Sequence, residues 1–316
     1  MIEETSEPAR DSARYGQPVV ATLAGGAALV LAAIAGPWIV PEQPLGVLLA
    51  GGALIGAVLW LIGYLSTTRH SALPWVAGSL AVLLAAGAGA GFVMHGQYES
   101  WARADASSFA ELELGPEGSP KLPQGIAGRG PISKLYAQTV QADGGDAREL
   151  GAAMGKAGLG NLNSPYLLQQ DPRLIENCGV IAGLKQLAAD QAKRRGERHA
   201  ALAKAIDTAS LPASARQGIA LVAQGPDGAA LLANQQAMLD ASTALCTMLA
   251  GKRWTNNMGY FGFGSGSDAA VFAQVQVRQR MLADGLGAIN GAAAERFTSG
   301  REMVRDALSR SVYTSG

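Results

Sequence analysis

Residues 18–40 read PVVATLAGGAALVLAAIAGPWIV, residues 45–66 LGVLLAGGALIGAVLWLIGYLS, and residues 73–95 LPWVAGSLAVLLAAGAGAGFVMH. None of these runs contains Asp, Glu, Lys or Arg. Each would be about 33 Å long as a helix, against a hydrocarbon core of roughly 30 Å. A buried helix of a water-soluble bundle keeps a polar stripe, and three in series without a charge on any face do not. The first run is too long for the apolar core of a signal peptide, and three cannot be cleaved away together. The reading is three membrane-spanning helices.

The rest of the chain fits that start. Of 50 charged residues, residues 18–95 hold only Glu42 and Arg69. The remaining 238 residues are about 20% charged, near the value for a globular domain. One composition is therefore two, an apolar block and a soluble-looking one, which excludes both a disordered chain and a simple cytosolic enzyme. Formal net charge is zero, which argues against bulk binding of nucleic acid.

Prolines 37, 41 and 44 bracket the first turn, Arg69 and His70 sit in the second, and Pro74 opens the third span, where a missing N–H does no harm. Trp38, Trp60, Trp75 and Trp101, with Tyr15, Tyr64 and Tyr98, fall near span ends, as amphipathic rings do at the headgroup level. Arg10 and Arg14 in the tail and Arg69 in the second turn share a side, while residues 41–44 carry no Lys or Arg. The positive side faces the cytoplasm, so everything after residue 95 is expected outside. Gly52 and Gly56, and Gly87 and Gly91, form small-xxx-small pairs that let backbones approach in lipid. They serve packing either among these spans or with spans of other chains. Transport is disfavoured, because the sole ionisable candidate, His95, lies at a span end.

Residues 115–131, GPEGSPKLPQGIAGRGP, hold four Pro and five Gly and read as a linker or irregular arm. Helical spacing resumes with Ile132, Leu135 and Tyr136 and is expected to close at Gly144–Gly145. A second short helix is expected from Asp146 to residue 157, then a turn cluster at 158–165. A longer helix is expected from Asp171–Pro172, another from Asp227 to about Ala250, and a last one after Ser267–Asp268. Val275 and Val277 add a competing period of two, outweighed by the length of that last element. No sheet is expected.

The fold class is thus all-α, three transmembrane helices followed by a mainly helical extramembrane bundle. Its parts are a cytoplasmic tail at 1–17, a membrane anchor at 18–98, a Pro/Gly-rich linker at 99–131 and a helical extracytoplasmic domain at 132–316.

Chemistry-bearing residues are sparse. Cys178 and Cys246 either pair in an oxidising compartment or pack as small apolar residues. No C-x-x-C or H-x-x-x-H spacing suggests a metal, and no cofactor or catalytic residue is assigned. Lys193, Arg194, Arg195 and Arg198 form a basic patch that reads as a solvated helix face with local partners Asp190 and Glu197, ahead of a site for lipid phosphates or an acidic partner. Ser265, Ser267, Asp268 and His199 supply the letters of a hydrolytic triad without a nucleophile elbow.

The stretch KRWTNNMGYFGFGSGSD at 252–268 concentrates Trp254, Tyr260, Phe261 and Phe263 between glycines. These rings form either an exposed interface or a connector folded back on the bundle. The expected function is non-enzymatic: an integral inner-membrane subunit or scaffold of a bacterial envelope complex, contacting membrane lipid and protein partners or a second copy. The alternative is a membrane-anchored sensor or carrier whose bundle binds a small ligand or lipid.

Overall fold

The computed structural model describes residues 18–69, 72–115 and 118–313. The tail at 1–17, with Arg10, Arg14 and Tyr15, and His70 in the second turn lie outside the described residues. The chain divides into two compact units, Met1–Trp101 and Ala102–Gly316.

The first unit contains α1 (Pro18–Ile39), α2 (Leu45–Gly63), extended by a π-helical turn over Tyr64–Thr68, and most of α3 (Leu73–Glu111). All three helices are long and apolar enough to cross a membrane. Their large side chains, such as Leu31, Leu54 and Phe92, are mostly exposed. Apolar surface on that scale is unstable in water and natural in lipid. The unit's own contacts use small residues. A Cβ on Gly52 would overlap the Gly87 carbonyl oxygen, one on Gly56 that of Leu83, and one on Gly91 that of Leu48. Gly52 and Gly87 therefore face each other where α2 and α3 cross, with Gly56 and Gly91 each set against the opposite backbone on either side. Polar groups clamp the ends: the Trp60 indole donates to Ser79 Oγ at 3.1 Å, and the Tyr98 hydroxyl to the Val40 carbonyl at 2.7 Å. Trp38 and Tyr98 both pack edge-on against Trp101.

The second unit starts with the last turns of α3. It continues through a two-stranded ribbon, β1 (Glu113–Leu114) with β2 (Pro120–Lys121), and a 3-10 turn at Ile126–Gly128. Helices α4 (Pro131–Ala157), α5 (Pro165–Gln170), α6 (Arg173–Glu176), α7 (Val180–Asp207), α8 (Ala213–Gln224) and α9 (Gly228–Ala250) follow. A hairpin, β3 (Trp254–Asn257) with β4 (Tyr260–Phe263), leads into α10 (Gly266–Tyr313).

Several expectations change here. Residues 99–131 are no free linker: Phe109, Leu112 and Ile126 are buried in the core. Their enclosure rests on polar contacts at helix ends. Helix α4 begins after Gly130 without a capping side chain of its own. Asp105, on α3 and only 1% exposed, accepts from the N–H groups of Ile132 and Ser133 at 2.8 Å each. Arg301 and Arg305 on α10 donate to the carbonyls of Leu112 and Ala110, at 3.0 and 2.9 Å.

Gly144–Gly145 does not end a helix, and α4 runs through it to a left-handed cap at Gly158. Two glycines cost a helix about 1 kcal/mol each, and ion pairs on either side offset that. The helix expected from Asp171 breaks instead at Asn177–Gly179, dividing α6 from α7. Helix α8 falls in a stretch where no separate helix is expected. It crosses α10 at glycines, where a Cβ on Gly218 would stand 2.7 Å from the Gly300 carbonyl oxygen. Asp227 caps α9 as its sequence suggests, accepting from Ala229 and Ala230. Val275 and Val277 lie in helix, so length prevails over the local period of two.

Two apolar cores result. One gathers Phe109, Tyr136, Ile206, Ile219 and Val304, and the other Leu162, Leu168, Ile181, Leu245 and Leu249. The middles of α4 and α7 lie between them and are polar.

Candidate functional site

Two places in the helical unit hold the chemistry the sequence can offer. The first is the polar waist between α4 and α7. Arg198 meets both Asp143 and Asp146 at 2.6 Å. Arg194 meets Asp146 at 2.9 Å, and Arg195 lies 3.5 Å from Asp143. His199 Nε2 shares a hydrogen bond with Asp143 at 2.9 Å, and Gln191 donates to Glu149 at 3.0 Å. The arginines expected to pair locally with Asp190 and Glu197 thus pair across helices. The signal was present in Asp143, Asp146 and Glu149, but matching them to residues some 50 positions away needs the α4–α7 register.

Burial works to raise the carboxyl of Asp143, yet hydrogen bonds from His199 and Arg198 and the charge of Arg195 outweigh it and hold it below its ordinary value. Asp146 is lowered likewise, by Arg194 and Arg198 against desolvation. A depressed carboxylate stabilises the fold above its ordinary value of 3.8 and ceases to as pH falls below the shifted one. Asp143→Asn is therefore expected to lower stability by about 2 kcal/mol at neutral pH, the worth of a hydrogen bond to a charged group. Urea melts of variant and wild type should converge in acid. A difference that persists there would mean the loss is one of packing.

The second place is the hairpin. Trp254 pairs with Phe263 and lies diagonal to Phe261 on the same face, the Trp254 and Phe261 centroids being 5.2 Å apart. Phe261 and Phe263 each pack 5.1 Å from Phe272 on α10. The Trp254 indole donates to the Leu249 carbonyl at 2.9 Å. Of the four rings singled out in sequence, three therefore fold back, and Tyr260 alone stays out, 78% exposed.

The turn joining β3 to β4 is Met258–Gly259, both at positive φ, 52° and 90°, which defines the twisted two-residue turn of hairpins. Met258 is 95% exposed. Asn256 holds the turn from below, accepting from Gly259 N–H at 2.9 Å, and donates to Gln169 on α5. Tyr166, one helical turn from Gln169, is also exposed. The sequence signal for a hairpin was WTNN and YFGF around a Gly-containing pair. It is weak because a methionine separates Asn257 from Gly259, so the usual Asn-Gly pair does not occur.

Cys178, at the α6–α7 break, and Cys246 on α9 form a disulfide, which decides between the two readings left open. The triad letters do not converge. His199 serves Asp143 and lies close to Gly225, whose carbonyl accepts from Arg296 at 3.0 Å. Ser265 bonds Ser267 and Asp268 lies 3.5 Å from Arg253. Asp268 and Arg296 are 28 residues apart on α10, roughly 40 Å.

Among the described residues no cluster of three metal-ligating side chains occurs. No family model, curated protein or solved structure matches this chain.

Proposed function

We propose that the chain is a non-enzymatic, integral inner-membrane subunit or scaffold of a bacterial envelope complex. Its N-terminus is cytoplasmic and its helical unit periplasmic, where it binds protein partners. The side assignment rests on Arg10, Arg14 and Arg69 against the Lys/Arg-free turn at 41–44, and the bacterial one on Ala/Gly-rich composition.

The observation that carries the reading is the hairpin tip. Methionine is a poor residue for positive φ, and asparagine or glycine would hold the turn at lower cost. A strained backbone position that displays an apolar side chain touching little of its own chain points to use by a partner. The rings beneath are wedged against Phe272, so the tip is pre-ordered. Within the helical unit it stands at the far end of α10 from Arg301, which donates to the Leu112 carbonyl just past α3: 29 residues separate Phe272 and Arg301, again roughly 40 Å.

The test uses Met258→Asn. It is expected to raise stability slightly, by about 0.5 kcal/mol, because Asn-Gly suits this turn. A photo-crosslinking amino acid at Tyr260 should give a discrete protein adduct in cells, weakened by Met258→Asn and missing when the probe stands at exposed Glu197. Equal adducts at both positions would overturn the interface. With Cys178 and Cys246 paired, Met258→Cys offers a lone thiol, expected to react with a membrane-impermeant maleimide in spheroplasts. Reaction only after lysis would overturn the periplasmic assignment.

A further inference from the structure

Along α7, residues 189, 192, 196, 199, 203 and 206 recur at three and four and form one stripe. That stripe is one wall of two surface grooves. One groove, of about 500 Å³, is completed by the α8–α9 turn and the start of α9. Lys193, Arg195 and His199 line it, and no acidic residue does. The other, of about 380 Å³, is completed by α8 and is mainly apolar, with Leu202 and Ile206 as its floor, Ala203, Ala220 and Leu221 along its sides, and Asp207 and Gln217 as polar lining at the Ile206 end, away from Lys193. His199 and Gln224 line both, so the two are one trough with a basic half and an apolar half. From Lys193 to Ile206 it spans about 20 Å of helix, and each half is in the volume range of small-molecule sites.

The charge in the basic half is only partly compensated. Arg195 and His199 share Asp143, whereas Lys193 has no carboxylate within 4.0 Å among the described residues. One uncompensated cation at one end of an apolar surface groove, with Asp207 at the other end, matches a monoanion with a single long chain.

We propose that this trough binds a long-chain fatty acid. The carboxylate sits at Lys193 and Arg195, and the acyl chain runs past His199 over Leu202, Ile206 and Leu221. The site is separate from the hairpin, and neither assignment depends on the other.

The test uses the full chain in phosphatidylcholine nanodiscs with a diazirine-bearing palmitate, adducts being mapped by mass spectrometry. Adducts are expected between residues 199 and 224. Lys193→Glu should reduce them about fivefold, the scale of one exposed charge contact. Ala203→Trp should block them with the melting temperature retained. A lysophosphatidylcholine probe with the same photoreactive chain, whose headgroup carries no net charge, should label this region about as weakly as palmitate labels Lys193→Glu.

Adducts confined to residues 18–95 would overturn the proposal, as would labelling that ignores Lys193→Glu or headgroup charge. A disulfide-linked dimer formed by Ala220→Cys would mean that a second copy covers the trough, and would overturn it as well.

Discussion

Asp105→Ala is expected to destabilise the helical unit by about 3 kcal/mol. Asp105 is the N-terminal cap of α4, supplied from another helix, and each carboxylate oxygen takes one backbone N–H. Removing it strands two buried donors, each worth about 1–3 kcal/mol when unpaired, and a cap alone is worth about 1. The carboxyl group also fills the space where a Cβ on Gly130 would stand, so the glycine before the helix is part of the same fit. Asp105→Asn keeps one acceptor and should lose about half as much. For a unit of this size the alanine variant should melt about 10 °C lower, measured by circular dichroism on the full chain in nanodiscs. A fall of a degree or two would show that solvent reaches the α4 terminus and that α3 is not locked into this core.

Replacing both Cys178 and Cys246 by alanine should cost about as much or more. The bridge closes a loop with a sequence separation of 68, for which chain entropy predicts about 4 kcal/mol. It ties the α6–α7 break to α9, where Cys246 is fully buried in the second core, two turns of chain ahead of the hairpin. The double variant should lose a comparable 10 °C or more, and reductant should lower the melting temperature of wild type while leaving the variant unchanged. Insensitivity of wild type to reductant would mean that the sulfurs act only as packing. The bridge also bears on location: thiols trapped in reduced form in living cells would contradict an oxidising compartment and, with it, the periplasmic assignment.

How much was legible depended on the range of the interaction. The three apolar helices, the Asp227 cap and the long final helix each follow from residues within a turn or a span of one another. The glycine pairs announced a close helix crossing, but that α2 and α3 are the two helices involved came from the structure. The aromatic run announced rings looking for partners. The Met258–Gly259 pair is not the usual Asn-Gly turn signal, and Phe272, the residue on which the rings close, reads as one more apolar position of α10. The misread linker has the same origin: its Pro and Gly content keeps the described residues of 115–130 out of α-helix, but says nothing about whether Leu112 and Ile126 find a core to enter.

The sequence by itself determined that residues 18–95 form three helices suited to lipid and that a mainly helical unit follows, because hydropathy and helical period are properties of neighbouring residues. Only the tertiary structure decided that Asp105 caps α4, that Arg198 joins Asp143 and Asp146, that Cys178 meets Cys246, and that Met258 is left bare. Each of those outcomes depends on which groups are brought together across tens of residues, and polar groups are satisfied, or side chains exposed, by whatever stands opposite them in space.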